Sequence, residues 1–479
     1  MNAQVEQVKM YVGGKWIGTE QEIEVRDPQN NEIIATVPSA TKEDVLHAIE
    51  EAKEGVNVAA SLSVHERISI LKKAAQLMEE RINEFAVTIA KEGSKTIREA
   101  TNEVKRAIET ITISAEEARR INGETISFDQ RPGSENRVGY YYRFPIGLIV
   151  AITPFNDPLN LVAHKVGPAI ASGNAIIVKP ATVTPLSAIK LAEIFEEAGL
   201  PKKVLTVVTG RGSEIGDVLT SHEAIRMVSF TGGLEAGMNI SKQAGIKKLG
   251  MELGSNSPAI VLKDADLSLA VESCVSGAFS AAGQNCIGVQ RIYIEEDIYD
   301  NFKAQFVART MEYNTGDKLS PITDMGPLIS EKEAIRIEKW VNEAVEKGAA
   351  LLSGGNRNGA FYDPTILENV PENCTIAFEE VFGPVVMLYS VSNLEEGVEL
   401  ANHASYGLQA GIFTRNLEHA FTAIHKLNVG GIMVNDSSDY RIDAMPFGGV
   451  KHSGLGREGI RYAIEEMTDP KVVCFNLQK

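Results

Sequence analysis

Four cysteines in 479 residues, spaced without pattern, leave little room for a disulfide framework or a zinc site. Cys274, Cys286, Cys374 and Cys474 form no C-x-x-C pair, so a reducing compartment is expected and no metal. Long apolar runs are also missing. The longest, around 146–152, falls far short of the ~20 residues a membrane helix needs. The opening MNAQVEQVKM has no basic flank followed by an apolar stretch, so no leader is expected and the location should be cytoplasmic. Basic residues are in deficit, 47 Lys and Arg against 64 Asp and Glu, for a net charge of −17. Such a chain is repelled by nucleic-acid phosphates and by anionic lipid, which argues against both as partners.

What is present reads as a large α/β protein with a sizeable core, 44% of its residues being hydrophobic. Residues 41–121 carry apolar side chains at helical spacing, as in ISILKKAAQLMEERINEF and EVKRAIETITISAEEARR. From Ile146 short β-rich runs alternate with helices: IGLIVAI, NAIIVKP, VLTVVTG, IRMVSFTG and KKLGMEL. That alternation predicts a parallel sheet covered by helices. It restarts after Glu252 with PAIVL, RIYIEE, PVVMLYSV, LQAGIFT and GGIMVND, so a second α/β domain begins near residue 253. The stretch 122–142 and the tail KVVCFNLQK alternate apolar and polar residues without strand partners of their own. They predict an arm that pairs with another subunit.

Several positions could carry chemistry. GRGSEIG (Gly210, Gly212, Gly216) follows a strand and opens a helix, and SFTGGLEAG (Gly232, Gly233, Gly237) repeats the arrangement. Helix N-termini of this kind favour a pyrophosphate, although ordinary turn glycines would look the same. Lys179 ends a strand at the same edge and could reach a ribose or phosphate, or be a plain exposed lysine. Cys286 sits on a loop after a helix, more available to a substrate than Cys274 on its amphipathic helix. Glu252, ending a strand before GSNSP, is a candidate base. Asn156 in TPFNDPLN offers a neutral amide donor for an oxyanion, and is equally a good turn former.

Together these stretches resemble the aldehyde dehydrogenase superfamily over essentially the whole chain. The resemblance rests on ITPFNDPLN (152–160), IIVKPATVTP (176–185), SFTGG (229–233), MELGS (251–255), GQNC (283–286), EEVFGPV (379–385) and MPFGGVKHSGLGREG (445–459). It implies an α/β aldehyde dehydrogenase-like fold: a cofactor-binding domain (1–121 and 143–252), a catalytic domain (253–451), and an oligomerisation arm and tail (122–142 and 452–479). It implies Cys286 as nucleophile, Glu252 as general base and Asn156 in the oxyanion hole. Lys179 would hold the adenosine ribose, Gly232 and Gly233 would border the pyrophosphate, and Glu380 and Phe382 would position the nicotinamide. Pro154, Phe155, Gly212, Gly216, Phe230 and Thr231 complete the implied cofactor site. The implied chemistry is oxidation of an aldehyde to its carboxylate by NAD(P), through a thiohemiacetal and a thioester. Relatives that pass the acyl group to coenzyme A tend to lack this glutamate, so its presence favours hydrolysis. A homodimer or homotetramer is implied as well.

The sequence departs from the pattern in three places. Thr182 stands where NAD-preferring relatives commonly carry a glutamate, which leans the expectation to NADP over NAD; its plainer reading is a helix N-cap. Ser255 replaces a glycine after Glu252. Asp157 replaces a bulky apolar residue and should suit a hydroxylated or amino-bearing aldehyde better than a greasy one. The motifs are most similar to the subgroup oxidising lactaldehyde, glyceraldehyde 3-phosphate and other short polar aldehydes. Arg106 and Arg441 are then candidate ligands for a substrate anion, with Phe447 also near the substrate; an exposed helix face is the alternative for Arg106. A cofactor-free cysteine hydrolase or acyltransferase, or a structural protein on the same fold, would leave the glycine turns or the Cys286, Glu252 and Asn156 set without a role.

Overall fold

The computed structural model describes residues 5–477; residues 1–4 and 478–479, at the ends of the expected cofactor and tail segments, lie outside the described residues. Two mainly parallel sheets organise the chain. In the first, five central strands run parallel in the order Lys248–Glu252, Ile225–Thr231, Leu148–Ile152, Ala175–Lys179, Leu205–Val207. Chain order reverses between Ile225–Thr231 and Leu148–Ile152. Loops diverge at such a switch point and leave a crevice beyond the carboxyl ends of the strands. Both faces are covered, so Ile149, Val150, Ile176 and Ile177 are all fully buried, as near-continuous apolar strands require.

The second sheet runs Ala350–Ser353, Thr365–Glu368, Val385–Val391, Val289–Glu295, Ser257–Val261, Gln409–Phe413, Gly431–Val434, with only the first strand antiparallel. The chain passes almost directly from Glu252, last residue of the parallel strands of one sheet, to Ser257, first of the other, so the second sheet starts a short linker from the crevice.

Helix Ile97–Glu117 starts on a capping box, in which the Thr96 hydroxyl accepts from the Glu99 N–H and the Glu99 carboxylate accepts from the Thr96 N–H. Ala100, Val104, Ala107, Ile111 and Ala115 form its buried stripe, against helices Val64–Glu80 and Asn160–Ala171. That packing sets the rotation of the helix and turns Arg106 toward the crevice.

The arm differs from expectation. Strand Thr468–Asn476 pairs antiparallel with Arg137–Pro145 along its full length, and Glu124–Ile126 adds a third strand. The two pieces are each other's partners within one chain, because their alternating patterns are matched in length. Nor is 452–467 part of the arm: Gly454–Leu455 pairs with Lys248–Glu252 at the edge of the first sheet, and helix Ile460–Glu466 packs on Asn160–Ala171.

Candidate active site

Strand register gathers the crevice residues. Ile152 lies opposite Lys179 on one side and Phe230 on the other, and Thr231 lies opposite Glu252. Parallel pairing therefore brings the 153–156 loop, Lys179, the Gly232–Gly233 turn and Glu252 to one sheet edge.

Cys286 arrives from the second domain on a strained turn. After helix Leu267–Phe279 the chain passes through Ala281, Ala282 and Gly283 with φ of 52°, 55° and 67°. The left-handed region costs an L-residue roughly 1–2 kcal/mol, so the turn needs bracing. Glu99 Oε1 accepts from the Ala281 N–H (2.7 Å), Gln284 Oε1 accepts from the Ile329 N–H (2.8 Å), and the Ser438 hydroxyl donates to the Ile287 carbonyl (2.7 Å). Gly283 lies against the Gly383 carbonyl, where any Cβ would collide. Over-determined strain of this kind holds a side chain in a fixed aim. The side chain so aimed is that of Cys286, which is partly exposed.

Two cavities meet at that thiol. One, about 390 Å³, is bounded by Pro154, Phe155, Phe230, Thr231 and the Gly232–Gly233 turn, with Glu252, Arg336, Glu380 and Phe382. The other, about 290 Å³, is bounded by Lys95, Glu99, Glu103, Arg106 and Asp157, with Asn285, Asp439 and Arg441. Asn156, Leu161 and Cys286 line both.

Burial pushes the Cys286 thiol up to about 12, with the Arg441 charge the main influence against it. Burial, reinforced by the charge of Glu458, also raises Glu252 well above the usual glutamate range, and its Oε2 has no hydrogen-bond partner. A carboxylate in that state is a stronger base than one in water. Burial lifts Glu380 to about 7, opposed by the Ser255 N–H donating to it at 2.8 Å. A Cβ on Gly254 would meet the Glu380 carboxylate and make it shift. Ser255 is itself held, its hydroxyl 2.9 Å from that of Ser257.

The remaining cofactor candidates lie outside the wall of the cavity at Cys286. Lys179 is buried, donates to the neighbouring Pro180 carbonyl (2.9 Å), and is pulled down to about 8 by desolvation. Gly212 opens helix Gly212–Ser221 beside it, and a Cβ there would sit 3.9 Å from Lys179 Cε. Thr182 donates to the Gly210 carbonyl (3.2 Å) and is not an N-cap: helix Leu186–Glu197 begins after Pro185, and Glu92 accepts its first N–H groups (2.7 and 2.9 Å). Gly216 lies inside the same helix, one turn on from Gly212, and lines neither cavity.

These residues fit a dinucleotide. Helix Leu234–Gln243 begins at Gly233 with no side-chain cap, leaving first-turn N–H groups for an anion at the crevice. A buried ammonium with only a carbonyl partner, at Lys179, calls for a further polar group.

On the second cavity the structure corrects the sequence reading. Asp157 is not a free acid: it pairs with Lys95 and lies 3.5 Å from Arg106. Arg106 is no free anion receptor, because it grips Asp443 through two bonds (3.2 and 2.8 Å). Arg441 reaches Glu458 (3.3 Å) and lies over the Phe447 ring at 3.7 Å. Phe447 therefore does not face the cavity; it packs with Ile287 and Leu408 beneath that guanidinium. Lys95, Asp443, Glu458 and Arg336 were missed, as was Lys165, which donates to Ser229 Oγ and Glu458 at 3.0 Å each. Burial alone would raise Glu458, but Lys165 and Arg441 hold it at about 2. Among the described residues no helix is long and apolar enough to cross a membrane, and no three acid, His or Cys side chains cluster as for a metal.

Known proteins identify the family. The chain is 50% identical over 458 residues to aspartate-semialdehyde dehydrogenase 1 of Pseudomonas canavaninivorans, covering 96% of this chain and 97% of the relative. It is 47% identical over 474 residues to 3-sulfolactaldehyde dehydrogenase of Priestia megaterium, covering 99% of each. The crystal structure of NADP-dependent glyceraldehyde-3-phosphate dehydrogenase from Bacillus halodurans C-125, complexed with NADP, superposes with a TM-score of 0.96 at 38% identity, covering 99% of this chain and 100% of that one. Residues 16–473 match the aldehyde dehydrogenase family, and the chain belongs to it, as an NAD(P)-dependent enzyme of the α/β aldehyde dehydrogenase fold.

Proposed function

We propose that the enzyme oxidises a short polar aldehyde, bearing a hydroxyl or an anionic group, to its carboxylate with NADP in preference to NAD. The observation that carries this is the meeting of two cavities at Cys286, one suited to a dinucleotide and one small and lined by charged side chains. The Cys286 thiol gives up its proton to water, its thiolate attacks the aldehyde carbon, and the Asn156 amide with a backbone N–H near the cysteine receives the oxyanion. When bound, the nicotinamide supplies the hydride acceptor. Oxidation of the adduct leaves an acyl group on Cys286 as a thioester. Glu252 then takes a proton from water as the water attacks, releasing the acid and restoring the thiol.

The NADP preference is supported by Thr182 in place of an acid and by Lys179 without a carboxylate partner. The Bacillus halodurans relative was solved with NADP. The substrate class is supported by relatives named for aspartate semialdehyde and 3-sulfolactaldehyde. A cofactor-free hydrolase would leave the larger cavity without a purpose. We assign the arm to a homo-oligomer, dimer or tetramer: Val138, Tyr142, Phe144, Val472 and Phe475 are all exposed on it.

Appearance of the reduced-nicotinamide absorbance tests the reading. Aldehydes such as lactaldehyde and succinic semialdehyde should give it, faster with NADP than NAD. Oxidation of long-chain aldehydes at equal rates would overturn the substrate class, and a monomer by light scattering would overturn the assembly.

A further inference from the structure

The charged groups around the smaller cavity can be paired off one by one. Lys95 sits between Glu103 and Asp157, Arg106 is held by Asp443 and Asp157, and Arg441 by Glu458. The Glu99 carboxylate accepts from the Ala281 and Thr96 N–H groups. Asp439 is left over. Its carboxylate accepts from the Asn285 side-chain amide, and among the described residues no cation lies within ion-pair distance of it. Burial lifts Asp439 to about 7, and once ionised its carboxylate, with one neutral donor, retains most of its accepting capacity for a cation.

Position narrows what it would accept. Asn285 immediately precedes Cys286, so the Asp439 carboxylate is tied to the residue beside the nucleophile. A group that it binds must lie close to the aldehyde carbon. Charge narrows it further. Lys95, Arg106 and Arg441 stand on the cavity wall against Glu99, Glu103, Asp157 and Asp439, so with Asp439 ionised the wall carries one excess negative charge. A hydroxyl would leave that charge unanswered, whereas an ammonium forms a charge-assisted bond.

We propose that Asp439 is a specificity-determining residue that binds an ammonium group on the second or third carbon of the substrate, counting the aldehyde carbon as the first. The inference rests on the aldehyde oxidation proposed above and deepens it: the substrate is an amino-bearing short aldehyde, with any anionic group farther along its chain.

Three aldehydes of equal length isolate the ammonium: 3-aminopropanal, 3-hydroxypropanal and butanal. Steady-state kcat/KM is measured for each near neutral pH from the reduced-nicotinamide absorbance. The amino compound should exceed the other two by at least about tenfold, the scale of one charge-assisted bond. Asp439→Asn keeps the shape and removes the charge, and should shrink that ratio to about twofold or less, chiefly through KM. Asp439→Glu should restore part of it. Ratios taken on one preparation do not depend on the fraction folded. A hydroxyl compound used as well as the amino one, or a ratio unchanged in Asp439→Asn, overturns the ammonium site while leaving aldehyde oxidation standing. Oxidation of none of the three overturns both.

Discussion

The two cavities that share Cys286 are built by opposite means. The larger is made of three glycines, three phenylalanines and few charges, most of them set at strand ends by the register of the first parallel sheet, with Cys286, Arg336, Glu380 and Phe382 coming from the second domain. The smaller is walled by seven charged side chains, most of them satisfied by partners far away in sequence, such as Arg106 with Asp443. NAD and NADP share one dinucleotide core, which backbone and sheet geometry can hold. A substrate differs from one relative to another, and here its selection is left to side chains balanced against one another. Changes on the cofactor side should therefore alter chemistry and cofactor choice with little loss of stability. Changes on the substrate side should disturb stability and specificity together.

The sharpest way to break the comparison is at the shared residue. Cys286→Ala should lower kcat by at least about 10⁴-fold with either cofactor, as loss of a covalent nucleophile does. Residual turnover within tenfold of wild type would mean that the two cavities do not meet at the chemistry. Glu252→Gln comes next. It should permit one burst of reduced cofactor per active site and then slow steady turnover by about 10²–10⁴-fold, the usual range for a general base. Glu252 is raised well above the usual range by burial, so it is neutral at low pH and becomes an effective base only as pH rises. The wild-type steady rate should therefore fall on the acid side at a higher pH than an ordinary glutamate would give. In Glu252→Gln that limb should vanish, which a pH–rate profile checks.

On the substrate side the largest effect should be structural. Lys95 lies between Glu103 and Asp157, with only 11% of its side chain exposed. Lys95→Met leaves two carboxylates crowded without their cation, and should cost about 3–5 kcal/mol of unfolding free energy. Asp157→Asn together with Lys95→Met should recover part of that loss, since one uncompensated charge goes with it. Denaturant titration of both variants decides the matter. Equal midpoints for wild type and Lys95→Met would show the substrate wall to be as indifferent to substitution as a surface pair.

How much of this was legible in the sequence follows the same division. The alternation of short apolar strands with helices disclosed both sheets, and local motifs singled out Cys286 on a loop after a helix, Glu252 at a strand end, and Asn156 and the Gly232–Gly233 turn in loops after strands. Each of those is a short-range feature. Lys95, Asp443 and Glu458 were invisible because their meaning lies in partners brought close only by folding. Asp157 and Arg106 were read as separate charges for that reason, although they face each other at 3.5 Å. One missed element did have a local signal. YVGGKW forms a hairpin at the edge of the first sheet, Gly13 and Gly14 taking φ of 61° and 80°, as a two-residue turn of this type requires. The alternation marked 137–145 and 468–476 as strands, but their pairing was not legible, because two strands with matched patterns can join within a chain or between chains with equal ease.

The smallest predicted effect tests the cofactor side where it has least protein to hold the ligand. Thr182→Glu places a carboxylate beside the Gly210 carbonyl it now donates to, near the buried Lys179. It should repel a 2′-phosphate and accept from a 2′-hydroxyl, so the NADP-to-NAD ratio of kcat/KM should fall by about tenfold or more. The fold should tolerate it, because Thr182 caps no helix. Lys179 gives an independent check with a definite sign. Desolvation pulls it from its ordinary value down to about 8, so its charge is present at pH 7 and is being lost by pH 9. In wild type KM for NADP should therefore rise over that interval, while KM for NAD, which lacks the phosphate, should rise less. In Thr182→Glu the new carboxylate favours the charged lysine and should move the rise to higher pH. If the two cofactors kept parallel pH profiles in both proteins, the adenosine end would not be read by Lys179 at all, and cofactor choice would have to come from the exposed residues Arg211 and Gly212.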